Sequence, residues 1–146
     1  MDNRIKVFFV QETDENQFET ESLWCKTENG NFIVDNIPFI AERISLGDTI
    51  AAELDEEDGQ YYFENFIETS GNSTVRLHVY NDQGDKIELI RKWLQENGCK
   101  SEVFLDRNII AVNIHKEIDY IPIKKYLDEG EGNIWTYEES CLEHEY

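Results

Sequence analysis

The chain has 146 residues, 40% hydrophobic and 12% aromatic, with 32 acidic against 13 basic side chains and a formal net charge of −19. It is too apolar to stay disordered, and its charge has the wrong sign for phosphate or an anionic membrane, so neither nucleic acid nor membrane is expected as a partner. No run of about eighteen uncharged apolar residues occurs, and Met1-Asp2-Asn3-Arg4 opens no targeting signal, so a cytoplasmic protein is expected.

Residues 4–70 read as short strands divided by turns. Ile5-Lys6-Val7-Phe8-Phe9-Val10 is the first. Leu23-Trp24-Cys25 and Phe32-Ile33-Val34 flank Asn29-Gly30, a pair suited to the positive φ angles of a tight hairpin. Thr49 to Leu54 and Tyr61 to Ile67 flank the acidic turn Asp55-Glu56-Glu57-Asp58-Gly59. With no helical period anywhere in this half, a small antiparallel β-barrel or curved sheet is expected over residues 1–70.

After Ser70-Gly71 the pattern changes. Val75, Leu77 and Val79 alternate with Arg76, His78 and Tyr80, as in a strand with one buried and one open face. Asp85 with Glu88 three residues on reads as a capping box for a helix whose apolar face is Ile87, Leu89, Ile90, Trp93 and Leu94, ended by Asn97-Gly98. Val103 and Leu105, then Ile110, Val112 and Ile114, give two more strands across the turn Asp106-Arg107-Asn108. Asp119 caps a second helix with Pro122 in its first turn and Gly130 past its end, and Ile134 to Tyr137 form the last strand. In order this is a ferredoxin-like βαββαβ half over residues 71–146, and the whole chain is expected to be α+β.

Chemistry-bearing motifs are sparse. Cys25, Cys99 and Cys141 are odd in number and widely spaced, which suits reduced thiols better than a disulfide framework or a zinc site. The acidic run fails as an EF-hand, because placing Gly59 at the sixth loop position puts Leu54 first and Asn65 twelfth. No glycine-rich phosphate loop follows a strand, so no metal or other cofactor is expected. Ser73 lacks the second glycine of a nucleophile elbow, so no catalytic residue is assigned.

Two candidate surfaces remain. Residues 1–70 hold seventeen acidic against four basic side chains, net −13, whereas residues 71–146 hold fifteen against nine, net −6. The acids Glu53, Asp55, Glu56, Glu57, Asp58 and Glu64, with Tyr61 as an aromatic anchor, could dock a basic protein, carboxylates steering encounter and rings giving contact area. The other reading is a solvated coat that only keeps the protein dissolved. The second surface is the open face of the second sheet, where Arg76, His78, Asn113 and His115 could line a ligand pocket or cryptic active site if the two histidines meet.

Asp35-Asn36-Ile37-Pro38-Phe39, then Ile44-Ser45-Leu46-Gly47-Asp48-Thr49-Ile50 with Ala52-Glu53, then Ser70-Gly71-Asn72-Ser73-Thr74-Val75-Arg76, resemble the signature of a family of small bacterial proteins classed as a domain of unknown function. That resemblance implies a shared fold and a bacterial cytoplasmic setting, with no activity to carry over. The acidic balance is similar to that of immunity proteins, which neutralise basic nuclease toxins. The expected function is a noncatalytic binding protein for a basic partner, foremost a nuclease toxin that it neutralises as an immunity protein, the alternative being a small-molecule-binding regulator or cryptic enzyme on the sheet face around His78 and His115.

Overall fold

A computed structural model describes residues 4–145. The chain divides into two compact units, Met1–Ser70 and Gly71–Tyr146. Sheets that are mostly antiparallel, with two helices, make it an α+β protein.

The first unit contains β1 (Arg4–Glu12), β2 (Phe18–Glu28), β3 (Asn31–Val34), β4 (Thr49–Leu54) and β5 (Tyr61–Glu68). Consecutive strands pair antiparallel, and a short parallel contact at Val7–Tyr61 and Phe8–Tyr62 joins β5 to β1, so the pairing runs in a closed ring. Asn29 (φ 53°) and Gly30 (φ 82°) both take the left-handed conformation, which is what lets the β2–β3 hairpin turn in two residues. Alternate residues of the strands point inward: Val7 and Phe9, Leu23 and Cys25, Phe32 and Val34 pack with Ile50. Burying each of these larger side chains contributes about 1.5–3 kcal/mol.

Between β3 and β4, residues 35–48 form no regular element and are held by side chains together with a few backbone bonds at the ends of the segment. Asn36 Oδ1 accepts from Trp24 N–H at 2.6 Å. The Glu21 carboxylate accepts from the successive amides of Phe39, Ile40 and Ala41 at 2.7, 3.0 and 2.9 Å. Asp48 has no exposed surface, and it accepts from Ser45 N–H at 2.9 Å and from Ser70 N–H and Oγ–H at 2.9 and 3.0 Å. The pins seat Ala41 and Ile44 in the core.

The second unit runs β6 (Ser73–Val79), α1 (Ile87–Glu96), β7 (Lys100–Phe104), β8 (Ile109–Ile114), α2 (Tyr120–Gly130) and β9 (Trp135–Cys141). Its sheet is antiparallel in the order β7-β8-β6-β9. Val75, Leu77, Val79, Ile110, Val112 and Ile114 pack with Ile87, Ile90, Leu94, Ile123 and Leu127 of the helices. Asp119 caps α2 as expected, accepting from Ile121 N–H at 3.0 Å. The start of α1 differs from expectation: residues 81–86 tighten into a 3-10 turn, so the helix begins at Ile87 with Lys86 at its N-cap and no side-chain cap bond. Gly130 is the last residue of α2 rather than the one after it, and a Cβ there would lie 2.1 Å from the Trp135 ring. That ring is buried and donates from Nε1 to Leu127 O at 3.0 Å, so glycine is what lets it close on the helix.

Candidate functional site

The β4–β5 hairpin brings together most of the acids singled out from sequence. Glu53, Asp55, Glu56, Glu57, Asp58 and Glu64 are all exposed. The turn is held by its own backbone and carboxylates: Asp55 N–H donates to Gln60 O at 2.8 Å and Gly59 N–H to Asp55 O at 2.8 Å. Asp55 Oδ1 accepts from Glu57 N–H at 2.9 Å, and Asp58 Oδ1 from Gln60 N–H at 2.8 Å. These local bonds leave Glu53, Glu56 and Glu57 projecting, and Glu53, Leu54, Asp55, Glu56 and Tyr62 line a shallow depression of about 510 Å³.

Tyr61 is placed differently from expectation. Its ring turns to Phe32, with centroids 5.3 Å apart, and packs against the core of the first unit. The tyrosine at the tip is its neighbour Tyr62, whose hydroxyl donates to Asp58 Oδ2 at 2.7 Å. That bond holds the Asp58 carboxyl below the usual aspartate range and raises the Tyr62 phenol. One residue of strand parity separates anchor from core, and sequence alternation alone did not settle which was which.

Trp24 sits among the basic residues of this unit. Arg4 and Lys6 lie over its ring at 5.0 and 5.1 Å, and Asp35 pairs with Arg4 at 3.2 Å and Lys26 at 3.8 Å. Three of the four basic residues in the first seventy are therefore gathered at one place, Arg43 being the fourth.

On the second sheet the histidines do not meet. His78 stands opposite Ile109, whereas Ser73 at the other end of β6 stands opposite Ile114, beyond which His115 follows. Six register steps put the imidazoles roughly 20 Å apart along the strands. Arg76 and Asn113 are buried, at 2% and 4% exposure. Arg76 Nε donates to Glu138 Oε1 at 2.7 Å, and His78 Nε2 lies 3.5 Å from that oxygen. The hydrogen bond from His78, first, and the Arg76 guanidinium beside it hold the Glu138 carboxyl below its usual range. Arg76, His78 and Glu138 form one cluster and His115 lies elsewhere; among the described residues, buried Asn113 Oδ1 has no hydrogen-bond partner.

One pairing escaped the sequence reading. Ser73 Oγ lies 2.5 Å from His144 Nδ1, and His144 Nε2 lies 2.8 Å from His115 O, a carbonyl that can only accept, so Nε2–H is the donor there. The Glu143 amide also donates to Ser73 Oγ, at 2.8 Å. A hydroxyl, an imidazole and an orienting carbonyl are what nucleophilic catalysis uses. Ser73, however, has no exposed surface, and its hydroxyl is engaged by the Glu143 amide and the His144 ring. The arrangement fastens the C-terminal segment. Burial pushes the Cys99 thiol up to about 11, and burial together with Asp35 pushes Cys25 up to about 12, so both stay protonated and unreactive. Among the described residues, no three His, Cys, Asp or Glu side chains are placed to hold a metal ion, and no helix is long and apolar enough to cross a membrane.

These features define a two-unit α+β protein with an exposed carboxylate hairpin. Residues 21–137 match the model of a domain of unknown function, DUF4265, and the chain belongs to that family. It is similar to a solved structure from Neisseria gonorrhoeae described as a hypothetical protein, with a TM-score of 0.80, 26% identity and 97% of each chain covered. No functionally curated protein matches it.

Proposed function

We propose that this chain is a noncatalytic binding protein whose acidic N-terminal unit docks a basic protein, and that the partner is a nuclease toxin which it neutralises as an immunity protein. In this reading the first unit is a small barrel that presents the hairpin, and the second a ferredoxin-like βαββαβ module.

The observation that carries the proposal is the hairpin itself. Glu53, Asp55, Glu56, Glu57, Asp58 and Glu64 are exposed together, and the turn backbone is braced by Asp55 and Asp58 so that the remaining carboxylates are held out. Like charges crowded in this way repel and cost stability, and a cationic surface relieves that repulsion. A long-range field of this sign raises the encounter rate with a basic partner and disfavours acidic ones.

The test is copurification of the full chain with a basic nuclease domain encoded beside it. The reading expects a stoichiometric complex without nuclease activity, weakened by Glu56→Lys with Glu57→Lys. Absence of a complex, or one indifferent to both charge reversals, would overturn it.

A further inference from the structure

A strand in a closed ring ordinarily shows water only every second side chain. Residues 63–68 of β5 break that rule, since all six are exposed, with Phe63 at 37%, Phe66 at 42% and Ile67 at 45%. The register explains why. Ala52 stands opposite Phe63 and Ala51 opposite Asn65, so Glu64 has no counterpart on β4; Ile50 stands opposite Phe66 and Thr49 opposite Glu68, so Ile67 has none either. Two bulges therefore re-aim the strand. On its other side the parallel ladder to β1 stops at Phe8–Tyr62. This half of β5 stays paired to β4 while its ladder to β1 has ended, and side chains of both faces reach water.

Three large apolar groups are thus displayed on one short segment, with Glu64 and Glu68 between and after them and the hairpin carboxylates beyond. Apolar centres rimmed by charge mark protein interfaces, where the centre sets dissociation and the rim sets association. We propose that Phe63, Phe66 and Ile67 form the affinity-determining centre of the docking surface, and that its occupant is a partner segment alternating Lys or Arg with aliphatic residues. This rests on the acidic docking reading and deepens it. A second copy of the chain is the wrong occupant, because it would bring Glu64 and Glu68 against the same acids of another −13 half. A cationic, aliphatic segment complements both features at once.

The experiment titrates the full chain with two synthetic peptides of equal length and charge, one alternating Lys and Leu, the other Lys and Ser, at about physiological ionic strength. The Lys/Leu peptide should bind at least about tenfold more tightly. That advantage should vanish in Phe66→Ser with Ile67→Ser, whose thermal melting checks that the fold is kept; Phe63→Ser is the less clean variant because its ring stacks on Phe9 at 5.1 Å. Glu56→Lys with Glu57→Lys should weaken both peptides alike. Equal, salt-sensitive binding of the two peptides would overturn the centre while leaving acidic docking standing, and binding of neither would remove both. A concentration-dependent dimer abolished by Phe66→Ser would name a second copy as occupant and equally overturn the proposal.

Discussion

Two stretches of the acidic unit use the same functional group in opposite ways. Around residues 35–48, the carboxylates of Glu21 and Asp48 are buried and bonded to three donors each. At residues 53–58 the acids are exposed and the bonds of Asp55 and Asp58 stay within the hairpin. The first set replaces secondary structure, since a fourteen-residue segment without strand or helix must still place its buried amides. The second set stabilises little. A count of acids therefore overstates the exposed acidic surface until the two buried pins are set aside.

The widest separation between the regions should appear in stability. Asp48→Ala leaves the Ser45 and Ser70 amides without their acceptor and should cost about 3 kcal/mol, read as a lower urea midpoint. Glu21→Gln keeps one acceptor oxygen and should cost less, about 1–2 kcal/mol in the same assay. An unchanged midpoint in either variant would erase the distinction between pins and free acids.

The second unit supplies a pH-dependent counterpart. The folded pKa of Glu138 lies below its unfolded value, so its pairing with Arg76 and His78 stabilises the fold above the ordinary glutamate range. That contribution drains away as pH falls through the folded value, and Glu138→Gln should flatten the acid limb of a stability-versus-pH curve. The smallest effect belongs to the hairpin. Tyr62→Phe should leave unfolding unchanged while moving the Asp58 carboxyl up toward the ordinary aspartate range, the Gln60 amide still holding it down in part, followed by carbon-detected NMR titration.

Much of the framework was legible from local signals. Asn29-Gly30 announced its hairpin, Asp119 its helix, and the alternation of Val75, Leu77 and Val79 the buried face of β6. Local pattern names faces but not registers, which is why His78 and His115 looked close and are not. The same limit hid the two bulges that expose the outer half of β5, and the exchange of roles between Tyr61 and Tyr62. Glu21 reaches amides about twenty residues away, a bond with no nearby sequence mark. Asp85 and Glu88 carried a capping-box pattern, but the 3-10 turn ahead of Ile87 shifted the helix start past it. Asn36, Asp48, Ser70 and Asn72 hold loops, Asn72 Oδ1 accepting from Lys116 N–H at 2.9 Å.

The most direct test of acidic docking is the association rate of the full chain with a basic nuclease domain, measured across ionic strength for the wild type and for Glu56→Lys with Glu57→Lys. Acidic docking predicts fast association that falls steeply with salt in the wild type, and slower association with a flatter slope in the double variant. Identical rates and slopes for the two proteins would contradict it.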